Sequence, residues 1–208
     1  MVSNLAYRKP LIIIVLIFLV VGFITKYLAE AIHELAGHGL FVMLFGGQIK
    51  SFYISLLWPY ERSYINWSLP TSDQNILIWV IGGGILVTLI VAFFIQFILL
   101  LKRFNVAVSL TLFWLSFWCF INATGYLILG GIIQYGDVGE LISMGAVTPA
   151  ISLVLGIGIF IAGFFLISNA MRKILIRFSI KSIKAGLAIF WLIVPLLFVL
   201  FIMGISFR

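Results

Sequence analysis

Long apolar runs separated by short polar breaks dominate this chain. They cover approximately residues 11–29, 75–101, 105–132, 147–169 and 185–206. Each can cross roughly 30 Å of hydrocarbon, which takes about 20 helical residues. The stretch 30–46 breaks the pattern, because it is amphipathic and carries both histidines of the chain. Residues 11–46 therefore predict either one broken or re-entrant crossing, favoured by Arg8 and Lys9, or two crossings, favoured by Lys26 near a turn. The expected architecture is all-α: a polytopic transmembrane helical bundle of five or six spans, forming one membrane domain over residues 1–208. Met1 to Pro10 resembles the n-region of a signal peptide, but no small-residue cleavage site follows cleanly, so it reads as the start of a retained first span.

The one extended polar stretch is about 47–75, where Pro59-Tyr60-Glu61-Arg62-Ser63 and Pro70-Thr71-Ser72-Asp73 are turn signals. Just before them, Gly46 to Ile54 partly alternates polar with apolar residues, which is consistent with a short strand or β-hairpin at the membrane edge. An edge strand can pair with an extended peptide. Gly82-Gly83-Gly84 begins the next span, and Gly156, Gly158 and Gly163 lie along a later one; the expected role of all six is close helix packing.

Composition narrows the class further. With 64% hydrophobic and 9% charged residues and a mean hydropathy of +1.28, the chain cannot present an ordinary polar surface, and an integral membrane protein in contact with the lipid bilayer is expected. A net charge of +7 would raise nucleic acid as a partner in a soluble protein. Here the basic residues gather at helix ends as topology signals, and no nucleic-acid partner is expected. Arg172, Lys173, Arg177, Lys181 and Lys184 fit a linker lying on an anionic cytoplasmic leaflet. Lys102 and Arg103 then fall on the same side, and residues 47–74 and 134–146 on the opposite one. The single Cys119 excludes an internal disulfide.

The chemistry concentrates in His33-Glu34-Leu35-Ala36-Gly37-His38. Ionisable groups are costly in hydrocarbon and mark function by default. The string is one residue longer than the H-E-x-x-H signature, in which two histidines one turn apart bind zinc and the glutamate activates water. On a regular α-helix, residues five apart differ by about 140°, too far to share an ion. One escape is a π-bulge, which absorbs the extra residue and which Gly37 makes easier. The other is the regular stripe Lys26, Glu30, Glu34, His38, in which Glu34 and His38 are the ligands and His33 points elsewhere. The plain alternative is a pair of histidines satisfied inside the bundle with Glu34 paired to Lys26. A catalytic zinc needs a third protein ligand. Among Glu30, Glu61, Asp73, Asp137 and Glu140, the best placed is Asp137, just past the end of the span 105–132, on the membrane side where the motif helix ends.

The motif, the glycines and strand signal after it, the glycine-rich start of the next span and the late Gly136-Asp137 together resemble the site-2-protease-like intramembrane zinc metallopeptidases, over about residues 28–140. The resemblance implies His33, His38 and Asp137 as zinc ligands and Glu34 as general base, with Asn122 a residue that helps position substrate. It also implies hydrolysis of a membrane-embedded or membrane-proximal peptide bond in a membrane protein or peptide, in a multi-pass protein of a prokaryotic plasma membrane. The chain departs from the family pattern in the extra motif residue, in lacking Gly-Pro and Asn at the triple glycine, and in lacking Asn-Pro before Asp137. A six-residue H-E-x-x-x-H does occur in dipeptidyl peptidase III, a soluble zinc peptidase that shares only the hexapeptide. Two rival readings are a non-catalytic member of the fold that binds a metal or a partner, and a small transporter in which Glu30, Glu34 and His38 relay ions or protons.

Overall fold

A computed structural model describes residues 5–55, 62–177, 183–192 and 196, with side chains of the first helix described from Ile17 onward except Leu19. Helix α1 (Leu5–Ala31) runs into a π-helical segment (Ile32–Gly39) and then into α2 (Leu40–Leu44). Backbone angles stay helical at both junctions, with φ −62° and ψ −38° at Ala31 and φ −60° and ψ −49° at Leu40. Residues 5–44 are thus one continuous rod with no reversal near Lys26.

An antiparallel hairpin of β1 (Gln48–Tyr53) and β2 (Tyr64–Ser68) follows, in the register Gln48 to Ser68 and Tyr53 to Tyr64 with an irregularity between Ile49 and Ser51. This is the strand and hairpin expected from the alternation after Gly46. Of the turn signals, Pro59, Tyr60 and Glu61 lie outside the described residues. Asp73 ends the polar stretch by capping α3 (Gln74–Leu101), its Oδ1 accepting from the Asn75 N–H at 2.8 Å. Asn105 does the same for α4 (Val106–Ile133), accepting from Val108 N–H at 2.9 Å. The connection to α6 (Pro149–Arg177) is not a plain loop, since it contains the short helix α5 (Gly136–Ser143).

Among the described residues, α3, α4 and α6 are the three helices long and apolar enough to cross a membrane. A further apolar helix, α7, covers Ile183–Leu192, and most of the span expected at 185–206 lies outside the described residues. Helix α4 is the axis of the bundle: 61% of its most apolar stretch is buried, against 39% for α3 and 22% for α6. Phe113, Phe117, Phe120, Cys119 and Ile167 fill the core around it. Phe94, Phe97, Val154 and Phe165 face outward, as suits contact with lipid tails.

Lipid offers apolar side chains as good an environment as each other, so helix association here relies on close packing. Gly163 and Gly156 serve that purpose: a Cβ on Gly163 would come within 2.0 Å of the Phe120 ring, and one on Gly156 within 2.8 Å of Ile128. Gly158 does not, because a Cβ there would meet nothing within 4 Å. Gly82 is similarly loose, with only Leu141 at 3.9 Å, whereas Gly83 and Gly84 press against the π segment.

Candidate metal centre

The extra motif residue is absorbed by the π segment. With i→i+5 hydrogen bonding, a residue five positions on falls about where the fourth would fall on an α-helix. Both imidazoles consequently face the same point, with ring centroids 4.9 Å apart and planes at 84°. The regular-helix arrangement, with His33 turned away, is not the one formed. Ala36 is the outward face of the distortion and is exposed, while His33, Glu34, Gly37, His38 and Gly39 are buried.

Close approach of α3 makes this geometry. A Cβ on Gly37 would lie 2.5 Å from Cα of Gly84, and a Cβ on Gly83 would lie 2.4 Å from the Phe41 ring. Gly84 also lines the site, since its Cβ would meet Nε2 of His33 at 2.6 Å and Nε2 of His38 at 2.8 Å. Being ten residues into α3, it lies about 15 Å along the helix axis, deep within the bundle. From one turn of α3 nearer the start, the Val80 carbonyl accepts a hydrogen bond from His38 Nδ1 at 2.8 Å. That bond orients the ring and leaves Nε2 facing the site, as is usual for a metal-binding histidine.

The third group arrives from α5. Helix α4 ends with Gln134 in the left-handed region at φ 51°, and Gly136 at φ 63° turns the chain back, where a Cβ would strike Tyr126 at 2.6 Å. Asp137 is thereby set in the first turn of α5 rather than in a loop, and its Oδ2 lies 3.0 Å from Nε2 of His33 and 3.4 Å from Nε2 of His38. Burial opposes the charge on Asp137, but His38 and His33 beside it outweigh burial and hold its carboxyl below the usual carboxylate range. Glu34 belongs to the same cluster: a carboxylate oxygen of Glu34 and one nitrogen of each histidine all lie within 4.8 Å of one another.

These distances fit a metal. Bonds of about 2.0–2.1 Å in a tetrahedral zinc site put neighbouring ligand atoms about 3.3 Å apart, close to the 3.0 and 3.4 Å between Asp137 and the imidazoles. Two neutral imidazoles and a carboxylate are also a donor set that zinc accepts.

Asn122 is placed elsewhere in the polar core. Its Nδ2 donates to Oε1 of Glu30 at 3.1 Å, both residues are buried, and its own Oδ1 has no partner. The residue of α4 that touches the centre is Tyr126, one turn further on. Its ring stacks on His33 with centroids 4.9 Å apart and planes 9° apart. Since Nδ1 of His33 is buried without a hydrogen-bond partner, this stack and Gly84 hold the ring where a hydrogen bond holds His38. Sequence reading had not singled out Tyr126, the Val80 carbonyl or the second use of Gly84. The signal for Tyr126 was its spacing of four from Asn122 on one helix face.

The hairpin packs on the π segment at Gly39. Cδ1 atoms of Ile49 and Ile65 would lie 3.0 and 3.3 Å from a Cβ on Gly39. Arg62, just before β2, stacks over the Tyr135 ring at 3.9 Å and donates to its hydroxyl, tying the hairpin to the α4–α5 corner. Compared with known proteins, the chain matches no family model, no curated protein and no solved structure.

Proposed function

We propose that this chain is an intramembrane zinc metallopeptidase of the site-2-protease-like kind, hydrolysing a peptide bond embedded in or next to the membrane. One observation carries the reading: the π segment turns two histidines five residues apart toward one point, where an aspartate from a distant helix meets both. Such a distortion costs regular helix geometry and tends to occur at functional sites. His33, His38 and Asp137 would hold zinc. When bound there, zinc supplies a polarised scissile carbonyl and a water of lowered pKa.

Glu34 then has the part of general base. Its carboxylate takes the proton of the attacking water and delivers it to the amine nitrogen as the C–N bond breaks, leaving a carboxylate and a free amine. Tyr126 and Val80 keep the two imidazole planes fixed, so the ligand atoms need no rearrangement. The hairpin above Gly39 shields the reacting groups from bulk water and offers its outer strand edge to an extended peptide. In this reading the rod crosses once and α3, α4 and α6 cross three more times, in a prokaryotic plasma membrane. Asn122, with its free carbonyl oxygen, keeps the role of positioning substrate.

Metal analysis and cleavage measured on one detergent-purified preparation test the proposal. Wild-type protein should carry one zinc, and a His33→Ala/His38→Ala variant none. Glu34→Gln should keep the zinc but lose cleavage of a co-expressed membrane substrate, because an amide cannot accept the water's proton. Zinc retained by the double-histidine variant would overturn the ligand assignment. Full cleavage by Glu34→Gln would overturn the base assignment, and stoichiometric zinc without any cleavage by wild type would favour the non-catalytic metal-binding reading.

A further inference from the structure

The opposite end of the bundle carries a second site. Where α3 ends, α4 begins and α6 leaves, a small cleft is lined by Lys102, Ser109, Lys173 and Arg177 together with Leu99 and Ile174. Lys173 reaches from α6 to the last carbonyls of α3, with Nζ 3.5 Å from the Leu99 oxygen and 3.3 Å from the Leu100 oxygen. Nη1 of Arg177 donates to the Phe104 carbonyl at 2.8 Å and to Oγ of Ser109 at 2.9 Å. These bonds orient the cations without neutralising them, because carbonyls and a hydroxyl carry no net charge.

Among the described residues no carboxylate does so. The chain's six acidic residues are Glu30, Glu34, Glu61, Asp73, Asp137 and Glu140, and none occurs in 74–136 or after 140. Glu30 is held by Asn122, which lies thirteen residues beyond Ser109 on α4, about 20 Å along the axis. Asp73 precedes α3 and Asp137 and Glu140 follow α4, so all three are at the far ends of those helices. A cleft with three cations and no counter-ion among the described residues, at the end that charge distribution places in the cytosol, calls for an external anion.

We propose that this cleft binds the phosphate headgroup of an anionic phospholipid. The lining favours lipid over free phosphate: Leu99, Ala170 and Ile174 share the cleft with the cations, and these apolar residues suit the start of an acyl chain and offer nothing to an inorganic ion. The site is independent of the metal centre and stands whether or not the chain is a peptidase.

Native mass spectrometry of the detergent-solubilised full chain, titrated with phosphatidylglycerol or phosphatidylcholine, tests it. One phosphatidylglycerol should bind at least tenfold more tightly than phosphatidylcholine. Lys173→Gln with Arg177→Gln should weaken it by about 25-fold, some fivefold for each cation removed at roughly 1 kcal/mol apiece. Lys102→Gln should weaken it about fivefold, and Lys173→Arg should leave it nearly unchanged. Arg172→Gln removes an exposed cation outside the cleft and serves as the control. Equal loss in Arg172→Gln, or no preference for the anionic lipid, would overturn the site. Displacement of the lipid by millimolar inorganic phosphate would overturn its assignment to lipid in favour of a free phosphate site.

Discussion

Deleting Ala36 removes the residue that makes the motif irregular, and the structure says what should follow. The deletion leaves His-Glu-Leu-Gly-His, with the histidines four apart, as a regular α-helix requires for a shared metal. Anywhere in a regular helix, loss of one residue turns everything beyond it by about 100° and withdraws it by about 1.5 Å, moving each downstream Cα by roughly 3.5 Å around a cylinder of radius about 2.3 Å. Metal ligands tolerate only about 0.2 Å. In the π segment the surplus residue has already been absorbed, so the deletion should convert it to α-helix with little net rotation of α2 and the hairpin. Ala36 is exposed and packs nothing, while Gly37, which must meet Gly84, is kept.

The expected result is a folded protein whose zinc affinity stays within about tenfold of wild type. The matched control deletes Ile24, which is also outward-facing but sits in regular α1. That deletion should abolish zinc binding by swinging the motif away from Asp137. Zinc stoichiometry and competition with a chromophoric chelator, alongside thermal unfolding of each variant, give the comparison. If the two deletions prove equally destructive, the extra residue is not absorbed between His33 and His38 and the reasoning fails.

The other substitutions act on the groups around the ions. Gly84→Ala should displace both imidazoles, since its Cβ would be 2.6 and 2.8 Å from their nitrogens; zinc should be lost, with an overpacking cost of about 1–3 kcal/mol visible as a lower melting temperature. Tyr126→Leu should weaken zinc by about 10–100-fold, as removing an orienting partner commonly does, whereas Tyr126→Phe should preserve the stack and the affinity; cobalt substitution and its visible spectrum would report the ligand geometry directly. Arg62→Ala should leave zinc content unchanged but speed proteolysis or hydrogen exchange across the hairpin, because it cuts the tie to Tyr135; unchanged exchange would show that Ile49 and Ile65 hold the hairpin alone.

How far the chain could be read beforehand depended on whether a feature is set by local sequence or by the register of a helix crossing. The bundle was legible because hydrocarbon demands long apolar runs, and α3 and α4 begin where Asp73 and Asn105 supply caps. The hairpin was legible from alternation after Gly46. The widened helix could be inferred because His33 and His38 have only two ways to be useful at a spacing of five, and Gly37 favours one of them. Asp137 was legible through topology, but its place in the first turn of α5 follows from two positive-φ residues, Gln134 and Gly136, of which only the glycine announces itself. The hydrogen bond from His38 to Val80 had no signal at all, since every residue offers a carbonyl and the sequence does not say which one a crossing helix will present. Gly84 shows the same limit from the other side. A glycine in a span reads correctly as permission for close approach, yet whether a backbone or an imidazole uses that space depends on the rotation of the facing helix. One inserted residue changes that rotation by about 100°, so the irregularity in the motif and the glycines of α3 specify a single crossing only when taken together.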